Sequence, residues 1–272
     1  MTPDGGQVGT NKTHDDEGEQ RARATVVVAA WTTVSRVSGL VRVIVVGAVL
    51  GPTALGNSFM LTNTLPNLVY YGFLGGSLVS TILVPVLVGR LMRRGAEDAA
   101  ALGSAFLSVA VLVAAVVVPF IAMTLPTLLA LTALDGDLAA SQLSLVRALV
   151  WMTAPQVVLY AVAGTAAAAL TACRHFALPA AGAALENMGV IAALLCFALL
   201  PSSSGGDVGI ARLAVLGVGA TAAVGLNAGL QWWGARRAGI LLRPRAGWRD
   251  PEVRAVLART VRAVAQAALL AV

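Results

Sequence analysis

The sequence is poor in charge. Only 12% of its 272 residues are Asp, Glu, Lys or Arg, against about 25% in an ordinary soluble domain, which excludes a water-facing surface over most of the chain. Cysteine is scarce too. Cys173 and Cys196 are the whole complement, and two thiols in apolar surroundings make neither a disulfide framework nor a metal site. They read as packing residues. Lys12 is the single lysine, so arginine carries nearly all the positive charge. No Ser-His-Asp order, no Cys/His ligand spacing and no phosphate-cradling glycine loop occurs, so the chain is read as a non-enzyme with no catalytic residue, cofactor or metal.

Long apolar runs are what the sequence has in abundance. With 58% hydrophobic residues and a mean hydropathy of +0.82, the composition is that of an all-α polytopic membrane protein. Residues 1–24 are polar and read as a disordered cytoplasmic tail. Residues 25–234 hold six apolar segments, near 25–50, 52–88, 99–133, 138–172, 176–200 and 214–234, which make a six-helix transmembrane lobe. Residues 235–250 form a basic link, and 251–272 begin a seventh transmembrane helix. The link carries Arg236, Arg237, Arg243, Arg245 and Arg249 with Trp233 and Trp248. That mixture suits anionic headgroups better than nucleic acid.

The arginines alternate between loops. Arg21 and Arg23 precede the first segment, Arg90, Arg93 and Arg94 follow the second, Arg174 follows the fourth, and the basic link follows the sixth. The intervening loops carry no charge, Asp135 and Asp137, or Asp207 with Arg212 as the exception. By the positive-inside rule the N-terminus is cytoplasmic and the chain crosses the membrane about six times before a seventh helix leaves from the cytoplasmic side.

Four ionisable residues fall inside the six segments: Arg36, Arg42, Arg147 and Glu186. On the first helix Trp31, Ser35, Ser38 and Arg42 share one stripe, with Thr32, Arg36 and Gly39 beside it. An arginine facing lipid at that depth costs about 2.5 to 17 kcal/mol depending on the treatment. The polar side is therefore expected to face a wet cavity or a partner, although snorkelling to headgroups is an alternative. The net charge of the four is positive and favours an anion, and a guanidinium fork suits phosphate. Glu186 could carry protons or pair with an arginine across the bundle; pairing is the favoured expectation, with Arg147 the candidate. In the second segment Pro66 frees the carbonyl of Thr62, and Gly72, Gly75 and Gly76 loosen the helix further, which marks a hinge.

These residues resemble the MurJ/MviN family of lipid II flippases, in the multidrug/oligosaccharidyl-lipid/polysaccharide exporter superfamily. Ser35-Arg-Val-Ser-Gly-Leu-Val-Arg42 is similar to that family's first-helix pattern, and Leu65-Pro-Asn-Leu68 with Gly76 and Val84-Pro85 to its second. Phe176-Ala-Leu-Pro179 with Asn187 fits the fifth helix more loosely. The resemblance implies the N-terminal six-helix lobe of a fourteen-helix transporter plus the start of its seventh helix. It implies that Arg36 and Arg42 hold a lipid-linked pyrophosphate glycan, with Ser35, Asn67, Tyr70 and Tyr71 lining the cavity. The chain departs from the pattern in having Val43 and Asn57 where acidic residues are usual. Tyr70-Tyr71 stands in place of an arginine pair, and Gly75 in place of a glutamate. The expected partners are the lipid-linked substrate, membrane lipids and, under a scaffold reading, cell-wall synthesis proteins, with no nucleic acid. Export of another polyprenyl-linked sugar and a non-transporting scaffold are the alternatives.

Overall fold

The computed structural model describes residues 8–69, 77–132, 140–201, 209–243, 245, 251–255 and 258–259. Among them there are eight helices and no strand: α1 (Val8–Leu50), α2 (Ala54–Val69), α3 (Ser77–Arg94), α4 (Ala96–Thr132), α5 (Ala140–Thr153), α6 (Pro155–Ala172), α7 (Ala177–Leu199) and α8 (Ile210–Arg237). Five stretches are long and apolar enough to cross a membrane: Thr25–Leu50, Ala96–Thr124, Leu143–Ala172, Ala177–Leu199 and Ile210–Arg237. The expected second span is divided between α2 and α3, with 70–76 outside the described residues.

Residues 8–24, expected to be a disordered tail, are helical and continuous with the first span. Glu17, Glu19, Gln20, Arg21, Ala22, Arg23 and Ala24 are good helix formers, and extending an existing helix avoids the cost of nucleation. The link after α8 is tied to α4. Ile240 and Leu242 are buried, the N–H of Arg243 donates to Ser104 Oγ at 2.9 Å, and the N–H of Arg245 donates to Ser108 Oγ at 2.8 Å. Serines one turn apart on α4 thus replace the missing backbone partners of an extended strap. The strap leads to residues 251–255, which are helical, and Val253 is fully buried in the same core.

That core joins Leu83 and Leu87 of α3, Leu102 and Phe106 of α4, and Leu170 of α6. A buried arginine closes it at the basic end. Arg90 Nε lies 2.8 Å from Glu252 and its Nη1 lies 3.2 Å from Asp98, so α3, α4 and the start of the next helix share one guanidinium. The second core joins Val46 and Leu50 of α1, Phe59 of α2, Leu149 of α5, Val190, Leu194 and Phe197 of α7, and Leu213 and Leu216 of α8. Between the two lies α6, whose buried face is largely alanine. Small side chains let α3, α4 and α8 approach it closely, which is how helices associate when lipid removes the hydrophobic drive.

The breaks follow from proline. The fourth segment bends at Ala154, because Pro155 starts α6 and lacks an amide. Pro66 stays inside α2 and is buried. The carbonyl of Thr62 that it leaves without a helical donor lies 3.4 Å from Thr153 Oγ1, a hydroxyl that also reaches the Leu149 carbonyl at 2.9 Å. Protein, rather than an open cavity, meets the freed group there. Arg212, the exception to the alternation of charge, stacks 4.2 Å above the Phe197 ring. A cation is partly accommodated by an aromatic face in that position.

Candidate functional site

The polar stripe of α1 meets α7 through one residue, Asn187. Its Nδ2 donates to the Ser35 carbonyl and to Ser38 Oγ, both at 3.2 Å, and its Oδ1 accepts from Arg42 Nη1 at 3.3 Å. Ser38 Oγ also donates to the Ser35 carbonyl at 3.0 Å. Gly39 keeps the seam narrow, since a Cβ there would stand 3.5 Å from Asn187 Nδ2. An asparagine side chain here offers both polarities at once. Its N–H groups satisfy helix α1 oxygens, while its oxygen orients a guanidinium without neutralising it.

Arg42 is half-buried, and no acidic group among the described residues pairs with it. Four of its five N–H donors are left over for something else. Arg36 is exposed on the neighbouring face and makes no hydrogen bond or ion pair with any described residue. Sequence reasoning placed the polar side of α1 on a wet cavity or a partner. The structure closes Ser35, Ser38 and Arg42 against a partner helix, α7, and leaves Arg36 outside that seam, because the shared stripe has the spacing that packs on a neighbour while Arg36 points about 100° away from Ser35.

The charge pair expected between Glu186 and Arg147 is not formed. Glu186 is buried. Its Oε1 accepts from the Tyr160 hydroxyl at 2.7 Å and its Oε2 from Asn227 Nδ2 at 2.8 Å. Arg147 is exposed on α5, which lies against α2 and α8. Helix α7 therefore presents Glu186 to α6 and α8, where neutral donors wait, and no arginine reaches it. Asn67 belongs to α2, with its side chain outside the described residues, and Tyr70, Tyr71, Gly72, Gly75 and Gly76 all lie outside them. Pro66 is the one hinge residue that is described.

Sequence reasoning placed Ser38 on the polar stripe and used Asn187 only for the family resemblance, and it passed over Tyr160, Asn227 and Gln231. Asn227 and Gln231 are four apart in an otherwise apolar segment, the spacing that puts two amides on one helix face. That was the signal available.

Helices of spanning length packed around two apolar cores, with Arg42 held at a polar seam between α1 and α7, define a polytopic helical membrane protein. The sequence profile described as "Lipid II flippase MurJ" matches residues 46–272, and the chain belongs to that family. It is 29% identical over 241 residues to the probable lipid II flippase MurJ of Vibrio cholerae serotype O1 (strain ATCC 39315 / El Tor Inaba N16961), a match that covers 85% of this chain and 44% of the relative. The chain thus spans under half the length of that curated relative.

Proposed function

We propose that the chain supplies one lobe of a lipid II flippase and moves an undecaprenyl-pyrophosphate glycan from the cytoplasmic to the outer leaflet of the inner membrane. The observation that carries the reading is Arg42. It is a half-buried guanidinium inside a spanning helix, aimed by an asparagine and matched by no acid among the described residues. A charge so placed is costly unless it serves an anionic ligand, and pyrophosphate is the anion whose geometry its fork fits. Arg36, six residues earlier on the same helix and exposed, is positioned to add a second contact as the headgroup passes. Alternating access requires a second lobe to rock against this one, consistent with the greater length of the relative.

The test is replacement. In cells whose own flippase is repressed, the gene restores outer-leaflet delivery of lipid II. If growth returns without lipid II crossing, or if loss of the protein only mislocalises envelope enzymes, the scaffold reading takes its place.

The same reading sets the orientation, with the N-terminus and the turn after α6 facing the cytoplasm. Cys173 lies in that turn, half-buried, and burial pushes its thiol up. Thiolate is the reacting form, so a membrane-impermeant maleimide is expected to label Cys173 slowly, in inside-out vesicles only. A raised thiol holds its proton further into the alkaline range, so the rate keeps climbing with pH beyond the point where an ordinary thiol levels off. Labelling from the outside would reverse the topology. Cys196, exposed within the α7 span, faces lipid and stays unlabelled from either side.

A further inference from the structure

We propose that Glu186 is a proton-binding site, and that loading it with a proton resets the seam that holds Arg42. The coupling to Arg42 rests on the flippase reading, whereas the proton site itself does not.

Glu186 sits near the middle of α7 and is buried between three helices. The groups around it come from every helix against α7. From α6 there is Tyr160, and from α8 there are Asn227 and Gln231, both uncharged. From α1 there is Arg42, held away by Asn187, and Arg36, which is exposed. The arginines of α8, Arg212, Arg236 and Arg237, lie at its two ends, with Arg212 stacked on Phe197. No cation among the described residues contacts the carboxylate. An ion in that setting is expensive and a neutral acid is not, so the group is placed to change state rather than to hold a fixed charge.

The hydrogen bonds count the same way. Gln231 Nε2 donates to the Leu178 carbonyl at 3.1 Å and to Asn227 Oδ1 at 3.3 Å. Gln231 Oε1 is buried and has no donor. With Glu186 ionised, the chain of Tyr160, Glu186, Asn227 and Gln231 leaves Gln231 Oε1 without a donor, and an orphaned buried acceptor is destabilising. A proton on Glu186 supplies that donor. With the Asn227 amide turned, the carboxyl O–H donates to Asn227 Oδ1, and Asn227 Nδ2 donates to Gln231 Oε1 once the Gln231 amide turns as well and gives up its bond to the Leu178 carbonyl. The proton comes from water and returns to water, and no electrons move.

Adjacent positions on a helix point about 100° apart. Glu186 therefore faces α6 and α8 while Asn187 faces α1, and any turn of α7 moves both. The two helices also touch at this network, since a Cβ on Gly182 would collide with Gln231 Nε2 and Asn227 Oδ1. Rearranging the amides of α8 is thus felt directly by α7, and through Asn187 by Ser35, Ser38 and Arg42.

The experiment is an infrared difference titration of the full chain in lipid nanodiscs. The expected result is a protonated-carboxylic-acid band that disappears as pH rises and is missing in Glu186→Gln, which keeps the shape of the neutral acid. Identical difference spectra for both proteins overturn the proposal. Tyr160→Phe removes a donor that favours the ionised form over the neutral acid, so its band persists to higher pH, and an unmoved midpoint overturns the network. A band that responds to sodium at constant pH overturns the assignment to a proton. In a lipid II transport assay Glu186→Gln is expected to lose the pH dependence of the rate, which a purely structural role would leave in place. Failure of transport at every pH with an intact titration would sink the flippase reading and leave the proton site standing.

Discussion

Arg42→Ala is expected to lower lipid II transport by about tenfold to a hundredfold, the loss of one or two hydrogen bonds between a guanidinium and a charged oxygen. Protein level and insertion should be unchanged. The only hydrogen bond the side chain makes among the described residues is the 3.3 Å bond to Asn187, and Asn187 keeps its two bonds to Ser35 and Ser38 without it. Arg42→Lys retains the charge and loses the planar fork, so it should fall between the two. Arg36→Ala sharpens the test. Because Arg36 has no partner among the described residues, its removal costs the fold nothing there, and any transport defect reports on substrate alone. Measured in proteoliposomes with labelled lipid II, wild-type rates for both alanine variants would refute the role of the pair.

How much of this arrangement was legible beforehand depends on which property carried the information. Period did: Ser35, Ser38 and Arg42 share a stripe because of 3.6-residue geometry, and they do share one seam. Covalent chemistry did: Pro66 frees the Thr62 carbonyl wherever α2 packs, and a neighbouring hydroxyl, Thr153, is found beside it. Charge arithmetic did not carry over to Glu186. The net charge of the spans says nothing about which helix lies against which, and the donors that Glu186 finds, Tyr160 and Asn227, are neutral and add nothing to such a sum. The polar tail failed for a related reason. A segment that buries nothing on its own becomes helical once an adjoining span has nucleated the helix for it.

Gly189→Leu is expected to separate α7 from α8 and to destabilise the lobe strongly. A Cβ at Gly189 would stand 2.6 Å from Ala223 Cβ and 3.1 Å from its Cα. Neither atom is the end of a flexible chain, so a helix axis must move. The crowding is reciprocal along the pair, since a Cβ at Gly219 of α8 would meet Ala193 Cβ of α7 at 2.7 Å. Overpacking of this kind costs about 1 to 3 kcal/mol and occasionally more, and here it acts on the interface that carries Glu186. A lower melting temperature in detergent is the first expected result, with Gly189→Ala showing a smaller drop. The second concerns function: forcing α7 away from α8 pulls Glu186 from Asn227, so the variant should also lose the acid band predicted for the wild type, or show it shifted, at temperatures where the protein remains folded. If Gly189→Leu melts like the wild type, α7 and α8 are not in the close contact that positions both the carboxylate and, one residue on, the asparagine aiming Arg42.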